Sequence, residues 1–199
     1  MRVKLLLASS NAGKLKEFRT MAASLKGARK IELELLPEFD ALPRFAEDAP
    51  TFAENAAGKA LHYSRFAEGV IIADDSGLVV PALGGAPGVR SARYAGENAS
   101  DAQRNEKLIA ELRGETGDMR KAKFVCVIAA GKRGKMLAVV SDCVEGSITE
   151  MPSGTGGFGY DPVFYFAPAR KAFAELSPME KNIVSHRGKA FRKLCTALS

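Results

Sequence analysis

The chain has 199 residues, 46% of them apolar, and a formal net charge of +6. That size suits one domain (residues 1–199) with a real core, and no apolar run approaches the roughly 18 residues of a membrane-spanning helix. The 19 glycines and nine prolines are scattered, which excludes a low-complexity chain, and the N-terminal apolar run is too short for a secretory signal, so a cytoplasmic protein is expected. In chain order, "VKLLLA" (3–8) reads as a short buried strand. "GKLKEFRTMAASLK" (13–26) follows as a helix, with Leu15, Phe18, Ala22 and Leu25 at helical spacing. "IELELL" (31–36) alternates strictly and reads as a strand with one wet face. Residues 51–69 read as a helix opened by Thr51 and Glu54 as a capping box. "VIIA" (70–73) reads as a buried strand closed by "DDSGL", and residues 78–96 are rich in turns. A helix opens at Ser100 with Gln103 completing its box, then 123–130 and 135–146 form a hairpin around "GKRG". "GSITE" continues the strand system, "VFYF" (163–166) is a strand, and a last helix or helix pair starts at Ser177 with Pro178 and Glu180. The hairpin among mixed helices and strands points to a mixed α/β sheet.

The charge favours anionic partners (nucleic acids, phosphorylated metabolites, membrane headgroups) without choosing among them. It is spread over separate patches, "ARK", "RKAK", "GKRGK" and "FRKL", which lack aromatic interleaving and for the most part read as solvated faces. Cys126 and Cys143 sit in apolar runs and are expected as buried thiols; with Cys195 they form no CxxC pair. With only His62 and His186 present, a zinc site is not expected.

Four stretches carry chemistry. "SSNAGKLKE" (9–17) lies between the first strand and the first helix, where free backbone N–H groups attract anions. Ser9, Ser10 and Asn11 add donors, Gly13 tightens the turn, and Lys14 adds charge, which suits a phosphate cradle or an ordinary capped helix. It is not a Walker loop, because Ala8 and Leu15 stand where that motif needs Gly and Ser or Thr. "ADDSG" (73–77) sets Asp74 beside Asp75 at a strand end, and adjacent carboxylates favour binding a cation such as Mg²⁺ or holding a proton. On the next helix upstream, Asn55 and Lys59 share a face. In "GTGGFGYDPVFY" (154–165), glycines surround Phe158, which suits either a ring laid against a flat heterocycle or a tight loop packed on the core. "EKNIVSHRGKAF" gathers Lys181, Ser185, His186 and Arg187 near a helix break expected at Gly188.

Taken together, "LLASSNAGKLKEF", "FAENAAGKA", "ADDSGL", "LGGAPGVRSARYAG", "GTGGFGYDPVF" and "SHRGKAF" resemble, in order and spacing, the noncanonical purine NTP pyrophosphatases, the inosine/xanthosine triphosphate pyrophosphatase family. The resemblance runs from about Val3 to about Leu198. It implies an elongated, two-lobed α/β fold with a long twisted mixed sheet flanked by helices, and an active site in the cleft between lobes. It further implies hydrolysis of ITP, dITP and XTP to the monophosphate and pyrophosphate, Mg²⁺ as cofactor, and a homodimer without a stable nucleic-acid or membrane partner. Carried over by motif, Ser9, Ser10, Asn11, Ala12, Gly13 and Lys14 hold the triphosphate with Lys59. Asp75 activates water and bears on the metal, Ser76 touches substrate, and Glu47 is the second metal-linked carboxylate. The chain has "AEDAP" where many members carry paired Glu, which leaves Glu47 and Asp48 as alternatives. Phe158, with Gly159 and Tyr160 beside it, stacks on the base, and Asp161, Lys181, His186 and Arg187 surround its edge. Two rivals are a pyrophosphatase for modified pyrimidine or methylated guanine nucleotides, as in Maf-like enzymes, and a nucleic-acid-binding protein driven by the charge.

Overall fold

The computed structural model describes residues 2–24 and 30–198. Leu25 and Lys26 of the expected first helix, and Ala28 and Arg29 of the "ARK" patch, lie outside the described residues. Among the described residues, seven strands form one sheet in the order β2-β1-β3-β4-β5-β6-β7. These are β1 Arg2–Leu7, β2 Lys30–Leu35, β3 Val70–Val79, β4 Lys121–Lys132, β5 Lys135–Ile148, β6 Phe164–Phe166 and β7 Lys171–Ala172. The sheet is mixed, as expected: β1 runs parallel to β2 and β3, whereas β6 runs antiparallel to β5 and β7. The helices are α1 Ala12–Ser24, α2 Phe52–Tyr63, α3 Asp101–Glu111, α4 Pro178–Val184 and α5 His186–Ala197. The chain divides into two compact units, and β3, β4 and β5 each contribute residues to both.

The first unit comprises Met1–Asp75, Cys126–Asp142 and Arg187–Ser199. Alternation along β1 and β3 decides its packing. Leu5, Leu7 and Ile72 pack with Phe18 and Met21 of α1 and Phe191 and Leu194 of α5. Leu6, Ala8, Ile71 and Ala73 pack with Ala56, Ala60 and Tyr63 of α2. From Leu5 to Ala8 and from Ile71 to Ala73 the chain is therefore buried on both faces, which is why "LLLA" and "VIIA" are continuous apolar runs.

The second unit comprises Ser76–Val125 and Cys143–His186. Its core joins Leu78 of β3 and the following Val80 to Leu108 and Leu112 around α3 and to Phe124, Phe164 and Phe173. The Phe124 and Phe164 rings meet with centroids 4.5 Å apart. Arg120 is buried, and its guanidinium donates to the carbonyls of Ile148, Leu112 and Thr149 at 2.6–2.8 Å. The capping boxes at Ser100–Gln103 and Ser177–Glu180 form as the sequence predicts.

Four expectations change. The third strand does not stop at Ala73 but continues to Val79, because both Asp74 and Asp75 find polar partners inside the fold. α2 ends at Tyr63 rather than near Gly69, and the Ser64 hydroxyl that follows donates to Leu61 O and accepts from the Gly134 N–H. The last helix splits at Ser185, which is extended (ψ 155°), and not at Gly188, which lies inside α5. Cys143 is exposed rather than buried, because its side of β5 faces outward along with Leu137, Val139 and Ser141.

Candidate active site

Continuation of β3 through its two acids sends their side chains to opposite faces. Asp74 shares the parity of Ile72 and meets α1 and α5. Lys14 Nζ lies 3.1 Å from its Oδ1 and 3.0 Å from its Oδ2, and Arg187 Nε lies 3.6 Å from Oδ2. Arg187 in turn donates from Nη1 to Glu17 Oε2 at 2.5 Å. Burial pushes the Asp74 carboxyl up, but Lys14, Arg187 and Lys59 outweigh it and hold the group well below the usual carboxylate range. Burial likewise opposes the charge on Arg187, and Glu17 and Asp74 reverse that, so its guanidinium stays firmly protonated. Arg187 stands in the first turn of α5, the end that repels cations, so these two carboxylates also offset the helix dipole.

Asp75 shares the parity of Ala73 and meets α2. Asn55 Nδ2 donates to its Oδ2 at 3.0 Å and to Ala49 O at 3.3 Å, while the Ala49 N–H donates to Asn55 Oδ1 at 3.0 Å. One buried amide thus ties Asp75 to the segment that carries Glu47. Burial pushes the Asp75 carboxyl up to about 6; the Asn55 bond and Lys14 oppose this, and the charges of Glu47 and Asp74 add to it. Glu47 Oε1 accepts from Lys59 Nζ at 2.6 Å, with the Lys59 side chain only 8% exposed; the neighbouring Asp48 is exposed. Among the described residues, no group of three or more His, Cys, Asp and Glu is gathered as a metal cage. The charges of Glu47 and Asp74 both act on the Asp75 carboxyl.

The "SSNAGK" stretch folds as the entrance to α1. The Ser9 hydroxyl accepts from the Asn11 N–H at 3.1 Å, and Asn11 Oδ1 caps the helix by accepting from the Lys14 N–H at 3.0 Å. Ser9 is buried, Ser10 and Asn11 are exposed, and Ala12 and Gly13 occupy the first two helical positions, whose N–H groups have no intrahelical acceptor.

The second unit holds the glycine loop. Gly154, Gly157 and Gly159 all have positive φ, which only glycine adopts without strain. Asp161 Oδ2 accepts from the Phe158 N–H at 2.8 Å and from Lys181 Nζ at 2.6 Å. The same Lys181 ammonium lies 4.9 Å from the Phe158 ring centroid. Tyr160 is buried, with its hydroxyl donating to Ser91 O at 2.9 Å. His186 stacks on Phe124 with ring centroids 4.7 Å apart and planes within 10°. Ser76, two residues beyond Asp74 on β3, falls in this unit.

A family model described as the Ham1 family matches residues 5–197 of this chain. The chain belongs to the Ham1 family. It is 50% identical over 191 residues to a dITP/XTP pyrophosphatase of Geobacillus kaustophilus, covering 96% of this chain and 92% of that protein. It is similar to a solved HAM1 protein from Coxiella burnetii, at 40% identity and a TM-score of 0.85 with 98% of each chain covered. The Ham1 protein of Staphylococcus aureus gives 38% identity and a TM-score of 0.83, covering 98% of this chain and 97% of that one.

Within this Ham1 chain the first unit brings together Lys14, Asp74, Asp75, Lys59, Glu47 and Arg187, and the second brings together Phe158, Asp161 and Lys181. Sequence reasoning passed over Glu17, whose carboxylate neutralises Arg187 from 170 positions away, a pairing that no local signal announces. It also gave Asn55 no definite role, although a 1% exposed Asn at helical spacing from a buried Lys59 is a polar stripe turned inward.

Proposed function

We propose that this protein hydrolyses dITP, ITP and XTP to the nucleoside monophosphate and pyrophosphate, removing deaminated purines from the nucleotide pool. The observation that carries the reading is the acid pair on β3: one carboxylate locked by Lys14 and Arg187, the other buried, held by Asn55 and raised to about 6. A carboxylate with that proton affinity is ionised at neutral pH yet basic enough to accept a proton from water. The similarity to proteins named dITP/XTP pyrophosphatases supports the substrate class.

In this reading Asp75 orients a water and takes its proton as the oxygen attacks the α-phosphorus. The bond from that phosphorus to the bridging oxygen breaks, and pyrophosphate leaves with the electron pair. Lys14, Lys59 and the first-turn amides of α1 offset the charge on the phosphate oxygens. Asp75 and Glu47 fit Mg²⁺: both are hard oxygen donors, they repel one another, and Mg²⁺ usually takes one or two carboxylates and completes its shell with water and substrate phosphates. When bound, the ion would neutralise phosphate charge and acidify the attacking water.

The base falls to the second unit. Hypoxanthine and xanthine present an oxygen at C6, whereas adenine presents an amino group there. Donors such as Lys181 and His186 match the first and oppose the second, a mismatch that supports discrimination of roughly 10⁴-fold. The reading includes a cytoplasmic homodimer.

Pyrophosphate release from dITP, ITP, XTP, GTP and ATP, with Mg²⁺ and with EDTA, tests this reading. Turnover of the first three, slow turnover of GTP and ATP, and silence with EDTA are expected. Equal turnover of ATP, or none of any nucleotide, would overturn it, and light scattering of the purified protein reads the dimer.

A further inference from the structure

Helix α3 carries no residue from any of the motifs above, yet it grips the glycine loop at one point on both sides. Asp101 Oδ2 accepts from the Gly159 N–H at 2.6 Å, and Asn105 Nδ2 donates to Gly159 O at 3.1 Å. The two residues are four apart and share a helix face, so Gly159 is held by a matched acceptor and donor one turn apart. Asp101 is itself fixed through Oδ1 by Arg104, which also donates to Ala92 O and Ala99 O. We infer that Asp101 and Asn105 are positioning residues that hold the Phe158–Gly159 backbone in place, and so set how tightly a purine base is bound.

Three observations argue for this over a merely structural contact. Asn105 is 4% exposed, and its Oδ1 has no protein partner among the described residues. Placing a polar side chain in so buried a position costs desolvation that an apolar one would avoid, and here its amide is directed at the loop carbonyl. Second, Gly159 sits at φ +64°, so the loop turns at the residue α3 grips, and the ring of Phe158 is carried on the adjoining peptide. Third, the consecutive N–H groups of Phe158 and Gly159 both point to carboxylates, Asp161 and Asp101. Paired amides of a glycine-rich loop would otherwise form a nest for phosphate. Here that nest is filled with negative charge, which leaves the loop suited to a base and unsuited to a triphosphate.

The inference rests on the proposed function for its ligand, and two readouts keep the two apart. Asn105→Leu and Asp101→Ala are the variants, with Asp101→Asn as the conservative rescue because it retains an acceptor. Hydrogen exchange of the segment 156–161, measured without nucleotide, is expected to quicken in both variants and to recover in Asp101→Asn. KM for ITP and XTP is expected to rise about tenfold with kcat little changed, as the loss of a part-buried hydrogen bond that fixes the loop implies. Inhibition by inorganic tripolyphosphate, which has no base, is expected to stay at the wild-type level. Wild-type exchange and KM in both variants would overturn the clamp. So would a parallel loss of kcat, tripolyphosphate inhibition and melting temperature, which marks a structural role only. If the wild-type protein hydrolyses no nucleotide, the proposed function fails, and the exchange experiment still decides whether α3 clamps the loop.

Discussion

Asp74 and Asp75 are neighbours on one strand, yet their carboxylates lie on opposite faces of the sheet and titrate in opposite directions. Burial acts on both. At Asp74 the charges of Lys14 and Arg187 overcome it; at Asp75 the Asn55 amide and Lys14 oppose it without overcoming it, and the charges of Glu47 and Asp74 add to it. A strand period of two thus converts a repelling pair into one fixed anion and one base.

Asp75→Asn should lower kcat by about 10²–10⁴-fold, the usual contribution of a positioned base. The same change should stabilise the fold. A carboxyl raised from 3.8 to about 6 contributes stability that is complete below pH 3.8 and lost as pH rises through about 6. The neutral amide avoids that loss, worth up to about 3 kcal/mol above pH 6. Thermal melts at pH 5 and pH 8 check it: the variant's advantage should be larger at pH 8. In the wild type, kcat/KM without added inhibitors should fall as pH drops below about 6.

Arg187→Ala should destabilise by about 3–5 kcal/mol, because it takes the guanidinium from Glu17 and leaves Lys14 to offset the buried Asp74 carboxylate with less help. The lowered Asp74 contributes stability above its ordinary pKa of 3.8 that is lost as pH falls below it. Removing Arg187 weakens that contribution, so stability should depend less steeply on pH in the acid range. Denaturant melts between pH 2 and pH 6 read both effects, and Arg187→Lys should retain part of the stability.

Gly157→Ala and Gly159→Ala should separate two roles of glycine in one loop. At Gly157 (φ +72°) an added Cβ would overlap Asp161 Oδ2, the atom that braces both Phe158 and Lys181. At Gly159 (φ +64°) an added Cβ meets nothing within 4 Å, so the cost is backbone strain alone, about 1–2 kcal/mol. KM for ITP should rise more in Gly157→Ala, and comparison of KM with melting temperature in the two variants checks it.

Phe158→Ala should raise KM for ITP and XTP by about 10-fold or more, as loss of one base–aromatic stack of about 1–3 kcal/mol implies. Inhibition by inorganic pyrophosphate should not change. Weakened pyrophosphate inhibition would mean that the ring acts on the phosphate end.

Much of this protein is legible in its residues. The apolar runs of β1 and β3, the capping boxes at Ser100 and Ser177, and the mixed sheet all follow from local pattern, because periodicity and caps are short-range properties. The ordered motifs from "SSNAGK" to "SHRG" were enough to indicate the family. What needed the tertiary structure was pairing across long stretches of chain. Arg187 with Glu17, Lys14 with Asp74, Asn55 with Asp75 and Gly159 with α3 each join residues 20 to 170 positions apart. The same pairings explain why β3 does not end at its acids: a carboxylate stops a buried strand only when it has no partner, and these partners lie on helices that the strand's own neighbourhood does not contain. Composition and spacing named the chemical groups; the packing of α1, α2 and α5 on the two faces of β3 decided which acid became the anion and which the base.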